Sequence, residues 1–207
     1  MGYYLAGFDV VGVDIEDQPD YPFDFVKADV LAFLSDYDLE DFDAYHASPP
    51  CHDHINMPGL VDHGTGNLLP RTRLALQHIG KPYVIENVEG AKKSMDHPVM
   101  LCGSMFDLGS GEYQLRRHRM FEFGYWEGIK QRNCRHTDAP VIGIYGRMGA
   151  RNQAQKSRHN GKRVSTRLPI QMGHEAMGID WMPKDRLTQA IPPAYTEYIG
   201  CRLKRSL

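Results

Sequence analysis

The sequence predicts an α/β fold built on an open, mostly parallel sheet, and two observations carry that expectation. Short apolar runs end repeatedly on a polar or acidic residue, as buried parallel strands do. Helix-spaced segments alternate with those runs. No apolar stretch approaches the ~20 residues that a membrane span needs, and the N-terminus lacks a basic-then-apolar signal pattern. In such sheets ligands bind beyond the carboxyl ends of the strands, so the residues at those ends are the first candidates for chemistry.

Met1 to Gly7 reads as the end of a helix, and Phe8 to Asp14 as a strand closing on an acid. Phe25 to Asp29 repeats that form, and Val30 to Tyr37 has helical spacing. Asp43 to Ala47 is a third strand running into Ser48-Pro49-Pro50-Cys51, and the polar, glycine-bearing stretch 52–66 reads as a mobile loop. Leu68 to Ile79 is an amphipathic helix stopped by Gly80 and Pro82. Tyr83-Val84-Ile85 is a strand ending at Glu86-Asn87, and Val99 to Cys102 and Arg119 to Phe123 are two more. Asp14, Asp29, Cys51 and Glu86 therefore gather at strand ends.

The 207 residues hold 42% hydrophobic side chains and a formal net charge of −2, which describes one globular domain and excludes a disordered or fibrous chain. The small net charge hides an asymmetry. Residues 1–45 hold twelve Asp/Glu against Lys27, whereas residues 130–167 hold ten Lys/Arg against Asp138. A solvated loop is the plain reading of the basic stretch, but it also carries Gly143, Gly146, Gly149, Gly161, Asn152, Gln153, Gln155 and Asn160. Basic, amide-rich and flexible is the profile of a segment following a phosphate backbone. Cys51, Cys102, Cys134 and Cys201 form no CxxC pair and read as reduced thiols of a cytoplasmic, monomeric protein.

Three short segments carry the chemistry. A lone cysteine in an α/β protein is usually a small buried hydrophobe. Pro49-Pro50, however, fixes the backbone before Cys51 at a strand-to-loop corner, which suits a nucleophile. Glu86 closes a strand where an apolar setting can keep a carboxyl protonated near neutral pH; the alternative is a cap or turn. Arg117 and Arg119 enter a strand and can form surface ion pairs or clamp a base or phosphate.

Together these segments resemble the cytosine-5 DNA methyltransferases of phage and bacterial type. Ser48-Pro49-Pro50-Cys51 is similar to that family's Pro-Cys nucleophile motif, Glu86-Asn87-Val88 to its Glu-Asn-Val motif and Arg117-His118-Arg119 to its Arg-x-Arg motif. Gly7 to Asp14 resembles the family's second strand, and Ala28-Asp29-Val30 the motif after it. Gln189-Ala190-Ile191-Pro192-Pro193 resembles the Gly-Asn-x-Val-Pro-Pro motif near the end, and the order is the family's over about residues 2–200. The departures are His52 where the family has glutamine, Thr188-Gln189 in place of Gly-Asn, and the strand and Phe-x-Gly-x-Gly loop with which the family opens. The chain starts after both, so the resemblance implies an N-terminally shortened enzyme that binds its cofactor weakly.

The resemblance implies a Rossmann-like methyltransferase fold with a catalytic core over 1–123, a short basic target-recognition segment over 124–167 and a C-terminal part, 168–207, returning to the core. It implies S-adenosylmethionine as cofactor, held by Asp14, Ile15, Asp29, Val30, Pro49, Gln189, Ala190 and Ile191. Double-stranded DNA is the implied partner, met by His52, Arg147, Arg151, Lys156, Arg158, Lys162 and Arg163. Cys51 would add to carbon 6 of a flipped cytosine, with Glu86 at the ring nitrogen, Arg119 at the carbonyl oxygen and Arg117 beside it. Two rivals stay open. One is a methyltransferase-like protein that binds nucleic acid without transferring methyl groups. The other is a metal-dependent hydrolase using Cys51, His52, Asp53, His54 and His63, with Cys134 and His136 further on.

Overall fold

A computed structural model describes residues 1–36, 41–50, 68–144, 155–159, 162–166 and 169–207. The chain opens with a short helix, α1 (Gly2–Leu5), followed by two parallel strands, β1 (Val11–Asp14) and β2 (Asp24–Lys27). Helix α2 (Val30–Asp36) starts where it does because Asp29 caps it: its Oδ1 accepts the Leu31 and Ala32 amides at 2.9 and 3.1 Å. β3 (Tyr45–Ala47) follows. Helix α3 (Leu68–Ile79) has the bounds its apolar spacing predicts, with Leu69, Thr72 and Leu76 making one buried stripe. It stops at Gly80, whose φ of 75° suits glycine.

β4 (Tyr83–Asn87) is buried along its whole length. After it come β5 (Val99–Leu101), a small pair β6 (Gly109–Ser110) and β7 (Tyr113–Leu115), and β8 (Arg119–Gly124). β9 (Val141–Ile142) joins β7, and β10 (Gln155–His159) and β11 (Lys162–Thr166) form an antiparallel hairpin. Three helices finish the described chain: α4 (Ile170–Met177), α5 (Lys184–Leu187) and α6 (Pro193–Leu203).

The principal sheet has the order β3-β4-β8-β5. Its side chains alternate between two helical layers. Val84 and Phe121 pack with Tyr195 and Ile199 of α6, while Ile85 and Met120 pack with Leu69 and Leu76 of α3. On the α3 side Arg73 grips Glu122 through Nε and Nη2 at 2.6 and 2.7 Å, so that buried carboxylate serves to lock helix to strand. A third cluster, with Leu115, Ile142, Ile144, Met177 and Leu187, joins α4 and α5 to the β6-β7-β9 sheet.

The chain is thus mixed α/β, and the expected single, mostly parallel sheet is replaced among the described residues by small mixed sheets. Three strand pairings are parallel and four antiparallel. The connections explain this. A parallel neighbour needs a long crossover, and of the parallel pairs only β3–β4 is joined through an intervening α-helix, α3, among the described residues. Between β5 and β8 the chain forms the β6–β7 turnback and returns antiparallel. Among the described residues no helix is long and apolar enough to cross a membrane.

α1 lies directly on α6. A Cβ on Gly2 would collide with Thr196 Oγ1 and the Pro193 carbonyl, so only glycine permits this approach. Lys204 also donates to the Gly7 carbonyl.

A candidate active site at the ends of three strands

β3 and β4 run parallel in the register Tyr45–Tyr83, His46–Val84 and Ala47–Ile85, so the segments that follow them emerge side by side. From β3 come Ser48, Pro49 and Pro50; from β4 come Glu86 and Asn87. Asn87 Nδ2 donates to the Pro49 carbonyl at 3.1 Å, which fixes the two segments together. Cys51 itself, and His52 after it, lie outside the described residues.

β8 runs antiparallel to β4, pairing Glu86 with Phe121 and Asn87 with Met120. That register sets Arg119 diagonally across from Glu86, and Arg119 Nε meets Glu86 Oε1 at 3.0 Å with both side chains about nine-tenths buried. Burial raises the Glu86 carboxyl above its ordinary value; Arg119, a hydrogen bond from Ser48 and the charge of Arg117 pull the other way without cancelling it. The carboxyl is thereby biased toward holding a proton at a strand end, as the sequence anticipated.

A longer polar chain leads into this pair, and the sequence reading missed it. The Tyr3 hydroxyl lies 2.8 Å from His46 Nδ1, and His46 Nε2 lies 3.2 Å from Ser48 Oγ, which in turn bonds Glu86. Burial pushes the His46 imidazole down to about 4, so the ring is neutral and has one donor and one acceptor. One assignment gives every group a partner: Tyr3 donates to Nδ1, Nε2–H donates to Ser48, Ser48 donates to Glu86, and Arg119 donates to Glu86. The signal in the sequence was the period of two that places His46 and Ser48 on one side of an extended segment.

Arg117 occupies a different position from Arg119. It is 1% exposed, and its guanidinium donates to the carbonyls of Ile144 and Thr188 at 2.7 Å and to Ala190 through both Nε and Nη2. The Tyr195 hydroxyl donates to the Arg117 carbonyl at 2.7 Å. Arg117 thus fastens the 188–190 segment to the sheet, which brings the expected cofactor residues Gln189, Ala190 and Ile191 close to β8 by way of their backbone.

At the other pair of strand ends, Asp14 Oδ1 accepts the Glu16 amide at 2.9 Å and Oδ2 accepts Gln18 Nε2 at 3.1 Å. Ile15 is 65% exposed beside it. Arg186 of α5 reaches back to Gln18 and to the Asp17 carbonyl, so the C-terminal part returns to this rim. Asp29 is engaged as the α2 cap, and Val30 is the first residue of that helix.

Of the expected DNA contacts, Arg147 and Arg151 lie outside the described residues. Lys156, Arg158, Lys162 and Arg163 lie on the β10–β11 hairpin, whose register sets Arg158 opposite Arg163 and His159 opposite Lys162. Of the basic stretch 130–167, residues 155–159 and 162–166 are thus paired as antiparallel strands.

A second cluster contains none of the expected catalytic groups. Cys102, His118, Cys134 and His136 bring one ligand atom each to within 4.8 Å of all the others. Of the metal ligands weighed from the sequence, Cys51, His52, Asp53, His54 and His63 lie outside the described residues, while Cys134 and His136 belong to this cluster. Cys102 and His118 were missed because their spacing matches no paired-ligand pattern. The Cys134-x-His136 pair was the available half of the signal.

No family model matches this chain, and no curated protein matches it.

Proposed function

We propose that the protein is a DNA cytosine-5 methyltransferase on a mixed α/β scaffold, with Cys51 as nucleophile. One observation carries the reading: the Glu86–Arg119 pair is buried at strand ends and tied through Ser48 and Asn87 to the Ser48-Pro49-Pro50 segment that leads into Cys51. A cysteine delivered there would have a proton-holding carboxyl and a cation beside it, the combination that addition to a cytosine ring requires.

Ring carbon 5 is too weak a nucleophile to be methylated unaided. The Cys51 thiolate adds to carbon 6, and Glu86 supplies a proton or hydrogen bond to the ring nitrogen that gains electron density. Arg119 holds Glu86 in place and faces the carbonyl oxygen. Bound S-adenosylmethionine would supply the methyl group, and Asp14 and Ile15 are the residues whose setting suits its ribose and base. Loss of the carbon-5 proton to water, return of the ring-nitrogen proton to Glu86 and departure of Cys51 as thiolate restore the ring. The basic hairpin and its flanks would follow the phosphate backbone while the base is flipped out, at ~ a few kcal/mol of unstacking.

The test uses duplex DNA carrying 5-fluorocytosine, whose fluorine cannot leave as a proton, incubated with protein and S-adenosylmethionine. A covalent complex stable to denaturant is expected from the natural chain and is lost in Cys51→Ala, which still binds DNA. An adduct that forms equally well in Cys51→Ala overturns the assignment.

A further inference from the structure

The Cys102, His118, Cys134 and His136 cluster is built by two independent pieces of chain. β5 and β8 pair in the register Val99–Phe121, Met100–Met120 and Leu101–Arg119. One further step of that register sets Cys102 opposite His118. The other two groups come from the stretch 125–140, which has no helix or strand. Long irregular stretches inside a folded domain are uncommon without something to hold them. Here Gln131 bonds both the amide and the carbonyl of Met100, at 2.8 and 3.2 Å, and the Arg135 amide donates to Ser104 Oγ at 3.1 Å. Those contacts deliver Cys134 and His136, two residues apart, against the end of β5.

The distances suit a tetrahedral metal. Bonds of about 2.3 Å to sulfur and about 2.0–2.1 Å to nitrogen at tetrahedral angles require sulfur–nitrogen edges of about 3.5–3.6 Å. Cys102 Sγ lies 3.3 Å from His136 Nε2, and Cys134 Sγ lies 3.6 Å from His118 Nε2. The two imidazoles are stacked, with centroids 5.4 Å apart and planes 20° from parallel, so both Nε2 atoms turn to the sulfurs together. On its other nitrogen, His118 Nδ1 faces Glu89 Oε2 at 3.4 Å. A carboxylate behind a ligating histidine fixes its tautomer and orientation. Ser104 Oγ, 3.2 Å from Cys102 Sγ, is placed to donate to a thiolate.

We propose that Cys102, His118, Cys134 and His136 form a structural zinc site. Two thiolates and two neutral imidazoles balance the charge of a divalent zinc, and binding releases the two thiol protons. Four protein ligands close the coordination shell and leave no position for substrate, so the metal is a staple. It joins the end of β5, the start of β8 and the stretch 125–140. Because His118 lies between Arg117 and Arg119, the staple also anchors the segment that carries both arginines. The irregular stretch is held at its centre by metal bonds where it has no sheet or helix to hold it.

The site does not depend on the methyl-transfer reading, and metal content reads it without any activity. The full chain is purified without chelators and its zinc measured by mass spectrometry, with about one zinc per chain expected. Cys134→Ser and His136→Ala should fall to background, while Cys201→Ser, an exposed thiol elsewhere, should keep its zinc. Should the losing variants fold poorly, the conservative His136→Cys supplies the check, since it should retain zinc as a three-thiolate site. Cobalt(II) added to reduced, metal-free protein should give a tetrahedral spectrum with sulfur-to-metal charge-transfer bands. These should strengthen in His136→Cys. Purified protein without zinc that also gives no tetrahedral cobalt spectrum overturns the proposal. So does a Cys102–Cys134 disulfide in protein as isolated, or full zinc content in the Cys102→Ser, Cys134→Ser double variant.

Discussion

Replacing Arg117 with methionine keeps most of the side-chain volume and removes the guanidinium, and with it the tie between β8 and the 188–190 segment. Three carbonyls lose a donor: Ile144, Thr188 and Ala190. A buried polar group left without its partner costs about 1–3 kcal/mol, and the low end applies here because Thr188 and Ala190 keep partial contact with solvent. The sum is about 3 kcal/mol. In a domain of this size each kcal/mol moves the melting temperature by ~2–4 °C, so a fall of roughly 9 °C is expected. Equilibrium unfolding in urea, followed by the fluorescence of Trp126 and Trp181, reads the loss directly. Arg119→Met is the internal comparison. Its partner Glu86 is already biased toward the neutral form and can take a proton once the cation is gone, so Arg119→Met should cost less. Arg117→Met costing under ~1 kcal/mol, or less than Arg119→Met, would refute the structural role of Arg117.

Two further predictions concern pH. Glu86 has its folded-state value raised by burial, so its contribution to stability is fully present below the ordinary carboxyl range and is lost as pH rises through the folded value. Glu86→Gln should therefore match the natural chain in acid and exceed its urea midpoint at pH 8, while abolishing adduct formation; lower stability at pH 8 would contradict the assigned direction. His46 is displaced the other way, from an ordinary 6.5 to about 4, and the unfolded chain takes up its proton first. Stability should thus decline as pH falls from about 6.5 toward 4, and that decline should shrink in His46→Gln. An unchanged profile in His46→Gln would place the acid sensitivity elsewhere.

What was legible in the sequence was local. Leu68 to Ile79 has an apolar stripe bounded by Gly80 and Pro82, so the helix and its ends follow from spacing alone. Glu86 at a buried strand end was likewise readable, because the apolar run Tyr83-Val84-Ile85 stops there. The partners of Arg117 were not, since Ile144, Thr188 and Ala190 stand 27, 71 and 73 residues away and are recognised through backbone oxygens, which every residue has. Asp29 illustrates a competing role. The same Asp that resembles a cofactor ligand precedes a helix-forming run, and the cap explains its position without any ligand. The sheet directions failed because strand periodicity fixes which side chains share a face but says nothing of which way the next strand runs.

The contact between α1 and α6 has a consequence for how the chain is made. Tyr195 and Ile199 cover Val84 and Phe121 on one side of the principal sheet, and Gly2 is seated against Thr196. At ~5–20 residues per second, roughly 10–40 s separate synthesis of Gly2 from that of α6. From completion of β8 until α6 is made, ~3–14 s at that rate, the strands around Val84 and Phe121 are complete but lack their cover on that side, and α1 has no seat. The nascent chain therefore carries an apolar face on the sheet until α6 closes it. Slowed or interrupted translation near residue 193 would lengthen the period in which that face can meet another chain.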